Sequence, residues 1–498
     1  MTRSLFTIVA AYSLLMAART TAYAQEPVNR TMIQRITQEA NDHSKVEETF
    51  NHFANVIGAR LAGSPAHKRA AEYARTKLSE WGMKDARLEP FPFGRSWELQ
   101  QFTMEMTAPR YFPLVGFPEA WTPGLKAPVT ANVVYLGDKT AAEIEAMGAK
   151  LKGAIVLAQK PQTAFITSDR PQPATHEEAV RSGAPPSQRS EYTTPLRTME
   201  PILRKYGAAA VVRASQGEHG TFFVQGGSRT TPPDATPSII IVAEQYNMMV
   251  HIIESGAPVQ VRLALVTHMD ARDTNSYNVI AEIPGTDPVI GKEVVLIGAH
   301  LDSWHSATGA TDNADAVSSA MEAMRILQTL DVKPRRTIRI ALWSGEEEGL
   351  LGSKAYAESH YEGPAHASER DALSVYFNDD PGTGLTYGFY MENNPQAKAI
   401  FDAWLEPLKP LGAIKNVIGP IPSTDHLSFT KYGIPAFTAI KDYDTYDTRE
   451  HHTNVDYADR VSEAGLKQSA IVLATFAYDA AMRNEKIPRM PLPAPPSR

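Results

Sequence analysis

From Asn278 onward the chain alternates apolar runs of strand length with amphipathic helical stretches, and this alternation narrows the possible folds more than any other feature. The runs read "NVIAEIPG" (278–285), "EVVLIGAH" (293–300), "TIRIALW" (337–343), "LSVYFND" (373–379) and "IPAFTAI" (434–440). Helical spacing predicts helices over 313–330, after Gly349 and over 463–483. Strands that are apolar along their whole length are buried on both faces. The pattern therefore specifies an α/β domain with a largely parallel central sheet.

The preceding residues have a different texture. Between Lys45 and Lys126, "HKRAAEYARTKLSEWGM" carries helix spacing and "ARLEPFPF" alternates like a strand. Short β-rich runs follow, "KGAIVLA" (152–158), "GAAAVVRAS" (207–215) and the stretch 238–265, with one or two helices between them. Residues 159–197 are crowded with Pro, Ser, Thr and Gln and carry no period, which predicts a long surface loop. A chain of 498 residues has room for a catalytic domain and a second module. The expected organisation is a catalytic domain of residues 25–127 and 269–485, interrupted by a β-rich module over 128–268 and followed by a Pro-rich tail, 486–498.

The first residues stand apart. "MTRSLFTIVAAYSLLMAARTTAYAQEP" has Arg3, an apolar run from Leu5 to Ala18, and the small residues Ala22 and Ala24 before Gln25, which reads as a signal peptide over 1–24. The run is shorter than the roughly 20 residues a membrane-spanning helix needs, so no stable membrane anchor is expected and the protein is expected to be periplasmic or secreted. Cleavage removes Arg3 and Arg19 and no acid, moving the formal charge from −7 to −9. That mild acidity argues against nucleic acid or an anionic membrane as partner. Cysteine is absent, so any metal site must be built from His and carboxylates.

In a sheet of this kind, ligands bind beyond the carboxyl ends of the strands. "EVVLIGA" ends in His300, with Asp302 two residues on, a spacing that suits an imidazole whose second ring N–H is held by a carboxylate. Asp312 follows at the start of the next helix, where it could equally serve as an N-cap. "TIRIALW" leads into Glu346, Glu347 and Glu348, "SVYFN" into Asp379 and Asp380, and the loop after "IPAFTAI" holds His451 and His452. Each has an ordinary explanation as loop charge or turn former. Their convergence on one rim from five segments does not, because so many like charges need cations to neutralise them. Zinc accepts both donor types, and such a set suits two metal ions sharing one carboxylate, with a further unbound carboxylate to move the proton.

The series "GAHLDS…GATDN", "SGEEEGLLGS", "FNDDPGTG", "STDHLSFTKYGIPA" and "HHTNVD", in that order, resembles the motifs of the zinc exopeptidases of peptidase family M28, and the resemblance extends from about residue 45 to 483. "GARLAGSPAHKRAAEYARTKLSEWGM" and the interrupting module resemble the carboxypeptidase Q-like branch of that family, whose inserted β-rich part is similar to a protease-associated domain. The resemblance implies a three-layer zinc-exopeptidase (phosphorylase/hydrolase-like) α/β domain with a mixed central sheet. It implies two Zn2+ per chain, with His300, Asp312, Glu347, Asp380 and His452 as metal ligands and Asp312 as the bridge. Glu346 is implied as the general base, Asp302 as the orienter of His300, and Asp425, His426 and His451 as neighbours of the metals or substrate. Glu348 and Asp379 fall at variable positions. His305, the stretch Ala307 to Gly309, and Pro381 depart from the family's usual residues without removing a ligand.

Catalysis is expected over a noncatalytic peptide-binding relative, because every ligand and the base are present; an acyl-transfer cyclase would normally lack the insertion. The expected reaction is hydrolysis of a terminal peptide bond of a peptide or dipeptide. The segment "KDYDTYDTREHH" holds Asp442, Asp444, Asp447 and Glu450, which could bind a free amine, and Lys441 and Arg449, which could bind a free carboxylate. The excess of acids, and the habit of the branch, favour an aminopeptidase or dipeptidase over a carboxypeptidase. The inserted module is expected to roof the cleft or to serve in a homodimer.

Overall fold

A computed structural model describes residues 26–171, 195–227 and 229–489. The expected signal peptide, the middle of the long loop and most of the Pro-rich tail lie outside the described residues. Among the described residues no helix is long and apolar enough to cross a membrane.

The apolar runs form a seven-stranded sheet in the order Lys84–Pro92, Asn275–Ile283, Thr337–Trp343, Val294–His300, Leu373–Asn378, Ala436–Asp442, Thr383–Tyr390. The four strands from Thr337–Trp343 to Ala436–Asp442 are parallel, and the outer ones pair antiparallel, so the sheet is mixed. Side-chain alternation divides each central strand between two apolar layers. Val295, Ile297, Ala299, Ile338, Ile340, Leu342, Val375 and Phe377 face the helices Asp315–Thr329, Glu463–Met482, Pro395–Leu405, Arg30–His43 and Pro65–Glu80. Val294, Leu296, Ala341, Trp343 and Tyr376 face Tyr356, Ala357 and Tyr361 of helix Leu351–Tyr361. Burial of each such side chain contributes roughly 1.5–3 kcal/mol.

Helix Glu463–Met482 starts at Ser462, whose side chain accepts from the Gly465 N–H, and it is buried along nearly its whole length. Helix Asp315–Thr329 is buried from Asp315 to Leu327. It begins a little later than the expected 313, because Asp312 and Asn313 leave the helical region, with φ −123° and −139°. Asp312 is therefore not the N-cap, and its carboxylate is free for other partners.

A second sheet has eight strands, in the order Phe112–Pro113, Ser96–Ala108, Gln260–Asp270, Val129–Tyr135, Ile155–Leu157, Ala210–Ala214, Ser238–Ile241, Gly116–Pro118. Its own core gathers Met106, Ile155, Val212, Ile239, Tyr246 and Leu263. The sequence boundary at 128 is too late for this sheet. Ser96–Ala108 pairs antiparallel with Gln260–Asp270 along almost its whole length, a long-range pairing that local pattern does not reveal. Within the expected loop, residues 159–171 have no regular structure and helix Leu196–Tyr206 follows at its end.

Candidate active site

Strand register sets the site. His300 lies opposite Trp343, Gly298 opposite Asn378, and Asn378 opposite Thr438, so four parallel strands end along one edge. The residues just past those ends are Asp302, Glu346 and Glu347, Asp380, and the turn carrying His451 and His452.

The centre of the arrangement is Asp312. One carboxylate oxygen, Oδ1, lies 3.2 Å from His300 Nε2, and the other, Oδ2, lies 3.4 Å from His452 Nε2. Asp380 Oδ1 is 3.5 Å from His300 Nε2, and Glu347 Oε2 is 2.8 Å from His452 Nε2. Two donor groups thus share one carboxylate: His300 with Asp380, and His452 with Glu347. Asp456 fixes the Asp312 backbone by accepting from Thr311 N at 2.7 Å, Thr311 Oγ1 at 2.7 Å and Asp312 N at 3.2 Å.

His300 is oriented differently from the sequence expectation. Its Nδ1 lies 3.0 Å from the backbone carbonyl oxygen of Asp302 and 3.8 Å from that residue's carboxylate. The Asp302 carboxylate instead accepts the backbone N–H groups of Glu346 and Glu347, each at 3.3 Å, and so holds the glutamate pair. The His451 ring lies against that of His452, tilted by 32° with ring centroids 3.7 Å apart. Burial, helped by the neighbouring His452, lowers His451 to about 3, which keeps it neutral.

Electrostatics argue for a cation. Burial, then repulsion from Asp312, pushes Glu347 well above the ordinary carboxylate range. Burial does the same to Glu346, with Asp380, Asp425 and Glu347 adding to it. Although burial opposes its charge, His300 is raised well above its ordinary value by Asp380 and Asp312. Glu347 Oε1 is buried with no hydrogen-bond partner. Ligand atoms of His300, Asp312 and Asp380 all lie within 4.8 Å of one another, as do those of Asp312, His451 and His452. A buried set of imidazole nitrogens and carboxylate oxygens with an orphaned oxygen fits a divalent metal, which would take the place of the protons.

Of the other expected neighbours, His426 stands away from the cleft, whereas Asp425 lies close enough to raise Glu346. His426 is fully buried, with Nδ1 2.9 Å from Thr438 Oγ1 and Nε2 3.2 Å from Glu392 Oε1, and it does not line the cleft. Asp425 is buried, and burial pushes it up to about 7. Glu348 is not an ordinary loop charge, since both of its carboxylate oxygens are buried without a hydrogen-bond partner. Asp379 turns toward Lys441, 3.6 Å away, which also donates to Asp315 at 2.8 Å. His305 packs the junction of the two sheets, its ring against Trp97 and its Nε2 2.8 Å from the Pro118 carbonyl.

The cleft over the site measures about 820 Å³ and is lined by Glu346, Glu347, Leu350, Lys354, Tyr446 and His452 among others, with Arg170 reaching in from the second module. This corrects three of the expected terminus-binding residues. Lys441 is buried in its ion pairs, Asp447 is held by Arg170, and Glu450 is buried and accepts from Thr445 Oγ1. Arg170 was not foreseen, because it lies in an aperiodic stretch that gives no signal. Arg60 was also missed: fully buried, it donates to the carbonyls of Leu301, Thr308 and Gly309 and so fixes the loop between His300 and Asp312.

A mixed-sheet α/β domain with carboxylates and imidazoles clustered at the strand ends is the architecture of a metal-dependent hydrolase. Residues 278–477 match the model of peptidase family M28, and this part of the chain is a domain of that family. The chain is 25% identical over 458 residues to carboxypeptidase Q from Bos taurus, covering 92% of this chain and 89% of the relative. The crystal structure of a peptidase M28 precursor from Shewanella amazonensis has a TM-score of 0.68 at 24% identity, covering 94% of this chain and 99% of the other. The zinc aminopeptidase BSAP from Bacillus subtilis has a TM-score of 0.59 at 19% identity, covering 88% and 95%.

Proposed function

We propose that this chain is a dinuclear zinc exopeptidase that hydrolyses terminal peptide bonds of peptides or dipeptides. The observation that carries the reading is Asp312, with one oxygen toward His300 and the other toward His452. His300, Asp380 and Asp312 would hold one zinc ion, and His452, Glu347 and Asp312 the other. Zinc bound there supplies Lewis acidity toward the scissile carbonyl and lowers the pKa of the attacking water. Glu346, on the cleft wall and outside both donor groups, takes the proton from that water and passes it to the leaving amine. Asp302, through the Glu346 and Glu347 N–H groups, keeps base and ligand in register. The zinc of the Bacillus subtilis aminopeptidase agrees with this donor set.

The second sheet, from about residue 96 to 270, corresponds in this reading to the protease-associated-like insertion and roofs the cleft. Of the acids expected to favour a free amine, Asp442, Asp447 and Glu450 are engaged elsewhere, by Tyr387, Arg170 and Thr445. A second reading, recognition of a free carboxylate, is favoured by Lys354 on the described cleft wall, Arg170 being committed to Asp447. The test is zinc analysis of the purified protein together with assays on N-blocked, C-blocked and free dipeptides. About two zinc ions per chain with cleavage of at least one substrate set is the expected result, and the blocking pattern names the terminus. A chain without tightly bound metal and without peptidase activity would overturn the proposal.

A further inference from the structure

The two histidines at the site are supported differently. His300 is oriented within its own domain, by the Asp302 carbonyl. His452 is not: its Nδ1 meets Gln225 Nε2 at 2.7 Å, and Gln225 belongs to the second module. The contact is part of a short ladder. Val224 N donates to the His452 carbonyl at 3.1 Å, Asn454 N to the Phe222 carbonyl at 3.1 Å, and Phe222 N to Asn454 Oδ1 at 2.7 Å, while Phe223 pairs antiparallel with Thr453. Phe222 and Val224 are buried against Ile240 and Val242 of the second module. Gln225, next along this segment, places its side chain against the His452 ring. His452 itself sits at φ 63°, a left-handed conformation that a β-carbon disfavours and that neighbouring contacts must maintain.

We infer that Gln225 is the positioning residue for His452, so that the second module builds one of the two metal sites instead of merely covering it. The inference rests on the dinuclear reading above. His452 Nε2 faces Asp312 and Glu347, so it is the nitrogen that must present a lone pair to a metal. Nδ1 must then carry the proton and donate it. The two ends of a carboxamide occupy interchangeable places, and turning the Gln225 amide over puts Oε1 where it accepts that proton. This fixes the tautomer and ring orientation that a metal-binding imidazole needs. Among the described residues, none of the second module gives the His300 ring such support.

Gln225 is exposed, so its replacement leaves the core intact. The experiment is chelator titration of the zinc-loaded full chain, comparing wild type, Gln225→Leu and Gln225→Glu by the free-chelator midpoints at which each ion leaves. In Gln225→Leu one midpoint moves, with affinity for that ion about 10- to 100-fold weaker, and the other stays. Gln225→Glu, whose carboxylate also accepts from Nδ1–H, holds both ions as tightly as wild type or tighter. Neither midpoint moving, both moving equally, or Gln225→Glu behaving like Gln225→Leu would overturn the inference while leaving the dinuclear reading standing. A wild type that binds no zinc would overturn both.

Discussion

Arg170 closes on Asp447 in a bidentate ion pair, Nε 2.8 Å from Oδ2 and Nη2 2.5 Å from Oδ1, with the two side chains only 6% and 3% exposed. The adjacent Asp169 accepts the Thr445 and Thr448 N–H groups at 3.0 and 2.8 Å. Two consecutive residues of the second module thus clamp the turn that leads to His451 and His452.

Arg170→Ala leaves the Asp447 carboxylate buried and unpaired. The expected loss of stability is on the order of 3–5 kcal/mol, read from urea unfolding at neutral pH. Although burial opposes it, Arg170 holds the folded pKa of Asp447 below its ordinary value, so the pair's contribution is present above the unfolded pKa and disappears as pH falls through the folded one. A variant as stable as wild type at neutral pH would show that the pair does not hold the turn.

Asp479 behaves in the opposite sense. Buried in helix Glu463–Met482 with Oδ2 unpartnered, it is pushed up to about 8 by burial and by Glu26. The folded state keeps a proton that the unfolded chain loses above about pH 4, so this group makes stability fall as pH rises from about 4 to 8. Asp479→Asn is expected to be more stable than wild type at pH 7, on the order of 2 kcal/mol, and to lose that advantage by pH 4. Thermal melts at the two pH values measure it; equal melting at pH 7 would contradict it.

Glu346→Gln separates proton transfer from metal binding. The amide keeps the shape of the side chain and cannot take a proton, so kcat is expected to fall by roughly 10²- to 10⁴-fold with zinc content unchanged. Loss of zinc along with the rate would make Glu346 a ligand instead of a base.

Metal removal should weaken the fold, because His300, Asp312 and Asp380 are buried together and a cation binds their folded arrangement alone. With free zinc at about 100 times its dissociation constant, the linkage contributes about 2.7 kcal/mol. Chelation is expected to lower the melting temperature accordingly, and an unchanged melt would mean that the site holds no metal in solution.

Much of this was legible in the sequence. Fully apolar strands such as Val294–His300 and Thr337–Trp343 announce a sheet buried on both faces, and the acids and imidazoles just past them mark its rim. Asp312 could be read as an N-cap from sequence, and only its non-helical backbone decides against that. What stayed hidden was long-range. Nothing local tells that Ser96–Ala108 pairs with Gln260–Asp270, that Lys441 is spent on Asp315, or that Arg170 and Gln225 arrive at the site from loops of the second module.

Zinc stoichiometry in Asp312→Ala and His452→Ala against wild type tests most directly whether Asp312 serves two metal ions at once. The account predicts about two zinc ions per chain in wild type, about one in His452→Ala, and failure of both sites in Asp312→Ala. An Asp312→Ala protein that still holds both ions, or a His452→Ala protein indistinguishable from wild type, would contradict it.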